Sequence, residues 1–194
     1  GMVLANQGSY AEARPLYERA LAIDKKILGP DHPDVAYSLN NLAYLFQKQG
    51  SYAEARPLYE RALVIVVKAF GPEHPRVAVA LNNLASLLDA QGSYAEARLL
   101  YERTLAIDKK TLGPNHPDVV RSLNNFALLL KVQGSYAESR PLYEQGLRGM
   151  LNHLSLNMGP MTETERFRYL ATKQGPEPLL LNLAEMQGNG PTEE

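Results

Sequence analysis

The sequence predicts an all-α solenoid of stacked, antiparallel helix pairs, and three observations carry that expectation. The motif Gly-Ser-Tyr-Ala-Glu occurs four times, starting at Gly8, Gly50, Gly92 and Gly134, with each start 42 residues after the last. Around it the text repeats almost word for word: Ser9–Leu21 returns unchanged as Ser51–Leu63, and with small changes at 93–105 and 135–147. Within each period, apolar residues fall at helical spacing between short Gly- and Pro-containing breaks. A fixed period of roughly 20–50 residues marks one supersecondary unit stacked on copies of itself, whose extended surface suits holding another macromolecule.

The second unit, residues 29–70, shows how each element is specified. A first helix opens at Pro33, whose fixed φ suits the first turn and whose missing N–H is not needed there. Val35, Leu39, Leu42 and Phe46, with Ala36 and Ala43 beside them, make one buried face. The opposite stripe is Tyr37, Asn40, Asn41, Tyr44, Gln47 and Lys48. Gln49-Gly50 ends the helix, because Gly adopts a left-handed conformation without steric cost. Ser51, with Glu54 three residues on, predicts a capping box for a second helix, and the pair recurs as Ser9/Glu12, Ser93/Glu96 and Ser135/Glu138. Tyr52, Ala55, Tyr59, Ala62, Leu63 and Val66 are the expected buried face of that helix. Pro57, inside it, removes one backbone hydrogen bond and favours a bend; the third copy has Leu99 in its place. The linkers Leu28-Gly-Pro-Asp-His-Pro33, Phe70-Gly-Pro-Glu-His-Pro75 and Leu112-Gly-Pro-Asn-His-Pro117 stop one helix and launch the next.

Composition narrows the function classes. The chain has 194 residues, a formal net charge of -1, no Cys and no Trp, and a sequence pI near 6.5. Near-neutral charge argues against electrostatic capture of nucleic acid or an anionic membrane. Zero Cys removes disulfides, thiolate metal sites and cysteine nucleophiles, and fits a reducing compartment, so a cytoplasmic location is expected. The longest apolar runs, such as Ala62–Val67, are far shorter than the ~18 residues a spanning helix needs, and no basic-then-apolar leader is legible. Gly1 ahead of Met2 is left out of the fold argument.

These residues resemble the tetratricopeptide repeat, in the 42-residue form found in kinesin light chains and many bacterial repeat proteins. The resemblance rests on Leu-Asn-Asn-Leu-Ala at 39–43 and 81–85, Leu-Asn-Asn-Phe-Ala at 123–127, the Gly-x-Tyr-x-Glu-Ala turn and the Leu-Gly-Pro-x-His-Pro linker. It covers residues 2–150, as one partial and three full units. It implies a right-handed superhelix whose first helices line a concave groove for a peptide. Beyond the array, 151–187 is expected to supply capping or connector helices, at 161–171 with a Thr162/Glu165 capping box and at 178–184, and 188–194 a disordered tail. The former stretch resembles a connector that, in some bacterial proteins, joins such repeats to a caspase-like protease domain; a terminal cap is the simpler reading. At the other end, 2–7 supply about half of a first helix. Either a longer natural chain or a second molecule would cover that face, which makes a homodimer through the terminal repeat a further expectation.

The paired asparagines Asn40/Asn41, Asn82/Asn83 and Asn124/Asn125 are the leading candidates for peptide contact. An Asn amide offers one acceptor and two donors, the complement of a backbone unit. The resemblance places them in the groove, the first of each pair toward the ligand. The alternative is that one of each pair bonds the neighbouring repeat. Specificity is expected where copies diverge: Tyr37, Val79 and Arg121; Tyr44, Ser86 and Leu128; Gln47, Asp89 and Lys131. Neutral drift on a solvated face is the competing explanation. Arg121 and Lys131 suit an acidic group, Tyr37 and Tyr44 an apolar one.

His32, His74 and His116 each stand alone in a linker, which points to packing or capping rather than metal binding. No catalytic constellation is legible: Glu12, Glu54, Glu96 and Glu138 are assigned to capping, and Glu18, Glu60, Glu102 and Glu144 lie beside basic residues on exposed faces. No cofactor is implied. The expectation is a non-enzymatic scaffold that binds an extended protein segment, with a structural connector or self-assembling array, its groove or ends filled by its own tail or a second copy, as the alternative.

Overall fold

A computed structural model describes residues 8–158 and Thr162. Apart from Thr162, the expected terminal helices, their capping box, the tail and residues 1–7 lie outside the described residues. Among the described residues there are seven helices and no strand. They are α1 Tyr10–Leu28, α2 Pro33–Lys48, α3 Tyr52–Phe70, α4 Pro75–Ala90, α5 Tyr94–Leu112, α6 Pro117–Val132 and α7 Tyr136–Met158. The helix α7 runs through residue 150, where the array was expected to give way to terminal helices. The chain divides into two compact units, 1–107 and 108–194, at a boundary inside α5.

The first-type helices α2, α4 and α6 start in the same way. Pro33, Pro75 and Pro117 occupy the first turn behind an extended His N-cap. Nδ1 of His32, His74 and His116 accepts the N–H of Asp34, Arg76 and Asp118 at 3.2, 3.1 and 3.2 Å. Each imidazole therefore satisfies a backbone donor that the helix itself cannot, which is the capping role expected of the linker histidines. The same helices end in Schellman turns. At Gly50, φ is 75°; Ser51 N–H reaches the Phe46 carbonyl at 2.9 Å and Gly50 N–H that of Gln47 at 3.0 Å. Ser93 and Gly92, then Ser135 and Gly134, repeat both bonds.

Two of the four expected capping boxes, Ser9/Glu12 and Ser51/Glu54, do not form. Ser9 and Ser51 stand at N-cap positions, yet neither side chain caps its helix. A left-handed Gly stands just before each of them, and their ψ values, 58° and 63°, lie away from the extended backbone that aims a capping hydroxyl at the first turn. The Gly8 and Gly50 carbonyls take the Tyr10 and Tyr52 N–H instead, both at 2.9 Å. Glu96, assigned to capping, pairs with Arg56 at 3.2 Å. The i,i+4 pairs Arg14–Glu18, Arg56–Glu60, Arg98–Glu102 and Arg140–Glu144 span 2.7–3.0 Å, as expected of exposed faces.

In unit 1 the whole expected face of α2 is buried, and Leu45 joins it at 0% exposure. A helix packed on two sides buries a wider arc than a single stripe. On α3, Ala55, Tyr59, Ala62 and Val66 are buried as expected, but Ile65 takes the place of Tyr52 and Leu63, which are half-buried. The helix α3 continues through Pro57, and both Pro57 and Ala53, whose carbonyl loses its partner, are exposed to water.

Second-type and following first-type helices meet through a position that alternates in chemistry. Ser38 Oγ donates to Asp24 Oδ2 at 2.5 Å, and Ser122 Oγ to Asp108 Oδ2 at 2.6 Å. At the equivalent positions between them stand Val66 and Ala80, both buried. Asp108 is 4% exposed; burial pushes its carboxyl above the usual range, and the Ser122 bond offsets part of the rise. In unit 2, α7 passes close over the preceding linker: a Cβ on Gly149 would lie 3.1 Å from the Pro114 carbonyl and 3.3 Å from Val120.

Candidate functional site

The solvent side of the first-type helices carries the predicted residues. In unit 1, Tyr37 and Tyr44 on α2 are exposed, while Asn40, Asn41 and Gln47 are half-buried. Tyr37 and Tyr44 lie near Tyr17 of α1, whose hydroxyl is pushed up by burial and then by these two neighbours. Lys48 sits 5.2 Å from the Tyr44 ring centroid, a cation–π contact. Asn83 Nδ2 on α4 donates to Asn40 Oδ1 at 3.5 Å. Here the first Asn of one repeat meets the second Asn of the next, so this contact ties neighbouring repeats together.

Gln47 and Ser86 take part in a relay between helices. Tyr59 Oη donates to Gln47 Oε1 at 3.0 Å, and Gln47 Nε2 to Ser86 Oγ at 3.2 Å. Ser86 also hydrogen-bonds Tyr101. The chain of contacts thus runs from α3 through α2 and α4 to α5. Burial raises both phenols, and Asp89, near Tyr101, is likewise pushed up by burial. Such a network orders the polar groups it joins.

In unit 2, Arg121 on α6 pairs with Asp118 at 2.9 Å. Asn124 and Asn125 are half-buried, as is Lys131, and Leu128 is exposed. Oδ1 of Asn124 is buried and has no donor among the described residues. It borders a concavity of about 310 Å³ lined by Asn115, Pro117, Val120, Arg121, Asn124, Met150 and His153. Unit 1 has a concavity of about 260 Å³ whose lining includes Pro33, Ala36, Tyr37, Asn40 and Val66. Those five positions, moved on by two periods, are Pro117, Val120, Arg121, Asn124 and Met150. The same five repeat positions therefore line both concavities, Tyr37 in one standing where Arg121 stands in the other, and Asp34, Arg76 and Val79 complete the unit 1 lining.

Sequence reasoning named Tyr37, Asn40, Arg121 and Asn124 but missed the apolar floor, Val66 and Met150, which comes from the second-type helices. The signal was available in the period: both fall at one repeat position. Among the described residues, no three or more His, Cys, Asp or Glu side chains gather to hold a metal ion, and no helix is long and apolar enough to cross a membrane.

Comparison with known proteins agrees with this arrangement. A tetratricopeptide-repeat family model matches residues 1–63, 34–110 and 94–152. A crystal structure from Podosopora anserina, a putative kinesin light chain with nearly identical TPR-like repeats, is 25% identical over 99% of this chain and 93% of its own, with a TM-score of 0.69. A substituted form of that same protein is 26% identical over 96% and 91%, also at 0.69. BtubC (BKLC) from P. vanneervenii, 22% identical over 98% of this chain and 79% of its own, shares the fold at a TM-score of 0.70. No curated protein matches the chain. With its 42-residue helix pairs, His-Pro helix starts and matches along most of its length, the chain belongs to the tetratricopeptide repeat family, as an all-α repeat solenoid of the kinesin-light-chain type.

Proposed function

We propose that this protein is a non-enzymatic, cytoplasmic scaffold that holds an extended segment of a partner protein on the solvent side of its first-type helices. Repeats of this family generally mediate protein–protein interaction; the finer reading concerns how this chain does so. The observation that carries it is the buried Asn124 Oδ1, an acceptor without a donor beside a concavity of about 310 Å³. Buried acceptors are rarely left unmatched, and a peptide N–H is a donor of the right kind. Tyr37, Asn40, Asn41 and Tyr44, with Asn82, Asn83 and Asp89, are the corresponding contact positions in unit 1, and Arg121, Asn125 and Lys131 join Asn124 in unit 2. Gln47 and Ser86 act by fixing the helices that present them.

A display library of random dodecapeptides tests this reading. Binders selected on the whole chain should lose about tenfold or more in affinity on Asn82→Ala with Asn124→Ala, consistent with the loss of one or two hydrogen bonds. Unchanged affinity for all selected peptides would refute it. The second reading, a connector or self-assembling array, draws on the exposed apolar residues Leu16, Ile23 and Ile27 of α1. It requires a homodimer, which light scattering over a concentration series would detect.

A further inference from the structure

Among the described residues, each aspartate but Asp89 has a polar side-chain partner. Asp24 and Asp108 accept from Ser38 and Ser122, and Asp31 pairs with Arg61 and Lys68. Asp118 pairs with Arg121 at 2.9 Å, and Asp34 lies 3.8 Å from Nδ1 of His32. Asp89 is half-buried on the solvent side of α4, and no cation among the described residues pairs with it. Burial alone moves its carboxyl above the usual carboxylate range, whereas Lys68 chiefly, and Arg61, hold that of Asp31 below it.

The groups beside Asp89 in unit 1 are neutral and held in place. Ser86 stands three residues earlier on the same helix face; Gln47 Nε2 donates to it at 3.2 Å, and it hydrogen-bonds Tyr101. Tyr101 is 3% exposed and lies close enough to feel the Asp89 charge, which helps to raise its phenol. At the repeat position of Asp89, α2 carries Gln47, whose Oε1 takes the Tyr59 hydroxyl at 3.0 Å, and α6 carries Lys131. The fold thus accepts a neutral amide here, and in α2 that amide joins neighbouring helices. The carboxylate in its place costs stability and joins nothing. A residue that costs the fold, and has no partner within it, marks a site that takes its partner from outside.

We propose that Asp89 receives a lysine or arginine side chain of the partner segment held on unit 1, and so selects for a basic residue at one position of that segment. The inference rests on the reading above, that the solvent side of the first-type helices holds an extended segment. The incoming cation neutralises Asp89 and replaces the water at its half-buried carboxylate, so the contact is a charge-assisted hydrogen bond of the stronger kind. A metal ion is not an equivalent occupant, because a single carboxylate supplies too few ligands. An acidic side chain is rejected by like charge.

The probes are random dodecapeptides displayed and selected on the whole chain. The selected peptides should share a Lys or Arg at one position. Replacing it by Met should weaken binding about tenfold or more, and so should Asp89→Asn in the protein. The two losses should overlap rather than add, because both remove the same contact. On Asp89→Lys, the peptide with Glu at that position should bind better than the original. Asp89→Asn should also raise the melting temperature of the unliganded protein at pH 7, because nothing in the fold depends on the charge; a lowered melting temperature would make the carboxylate a part of the fold and overturn the inference. Peptides that weaken on Asn82→Ala with Asn124→Ala, yet bind Asp89→Asn as tightly as the unaltered chain, overturn this inference alone. Peptides indifferent to both changes, or a library without binders, overturn the reading it rests on as well.

Discussion

Single residues decide how the ends and seams of these helices are closed. His74 caps α4 with a ring nitrogen, so His74→Ala should cost about 1 kcal/mol in urea unfolding, and His74→Asn, which keeps an acceptor, much less. Asp108 has a clear pH signature. Burial raises its folded-state pKa, so the folded protein holds this proton more tightly than the unfolded chain. Its effect on stability is therefore absent below the unfolded value and becomes a growing penalty as pH rises toward the folded value. Asp108→Asn keeps the contact with Ser122 and cannot ionise. It should raise the melting temperature by a few degrees at pH 7, of order 1 kcal/mol, and by little or nothing near pH 3. Equal gains at both pH values would contradict this account.

Helices and turns were largely legible in the sequence because their signals are local. Pro33 and Gly50 mark a start and a stop by backbone geometry alone, and the 3-and-4 spacing locates the buried side of α2. The Ser9/Glu12 and Ser51/Glu54 pairs misled for a physical reason: after a left-handed Gly, the serine backbone lies away from the capping conformation, which residue identity does not reveal. Pro57 tests the balance of local and tertiary forces. Pro57→Leu, the residue found at position 99, restores a helix hydrogen bond on an exposed face and should stabilise the protein by about 1–2 kcal/mol, less than the full ~3 kcal/mol interior penalty because water already serves the freed carbonyl. A melting temperature unchanged or lowered would show that Pro57 contributes to packing or to restricting the unfolded chain as much as the lost hydrogen bond costs.

Across the whole molecule, context overrides text. Ser9–Leu21 and Ser51–Leu63 are identical, yet Tyr59 is buried and Tyr17 only half-buried. No local pattern distinguishes them; only the neighbours do. Amides of α1 should therefore exchange with deuterium at least tenfold faster than the same residues of α3, since opening costs less where fewer side chains pack. Equal protection would mean that intrinsic helix propensity, not stacking, holds these helices. Likewise, the candidate positions on the solvent side could be named from the period, but Gln47 and Ser86 acquired their relay only from the approach of α2 and α4.

The alternation at the helix seams means that the repeats are not interchangeable bricks. Excising one 42-residue period so that α4 follows α1 would set Asp24 against Ala80, a carboxylate facing a methyl group. Excising two would set it against Ser122, hydroxyl to carboxylate, as Ser38 does now. For anyone shortening or lengthening this protein, the tile that fits is 84 residues long, twice the period that the eye finds in the text.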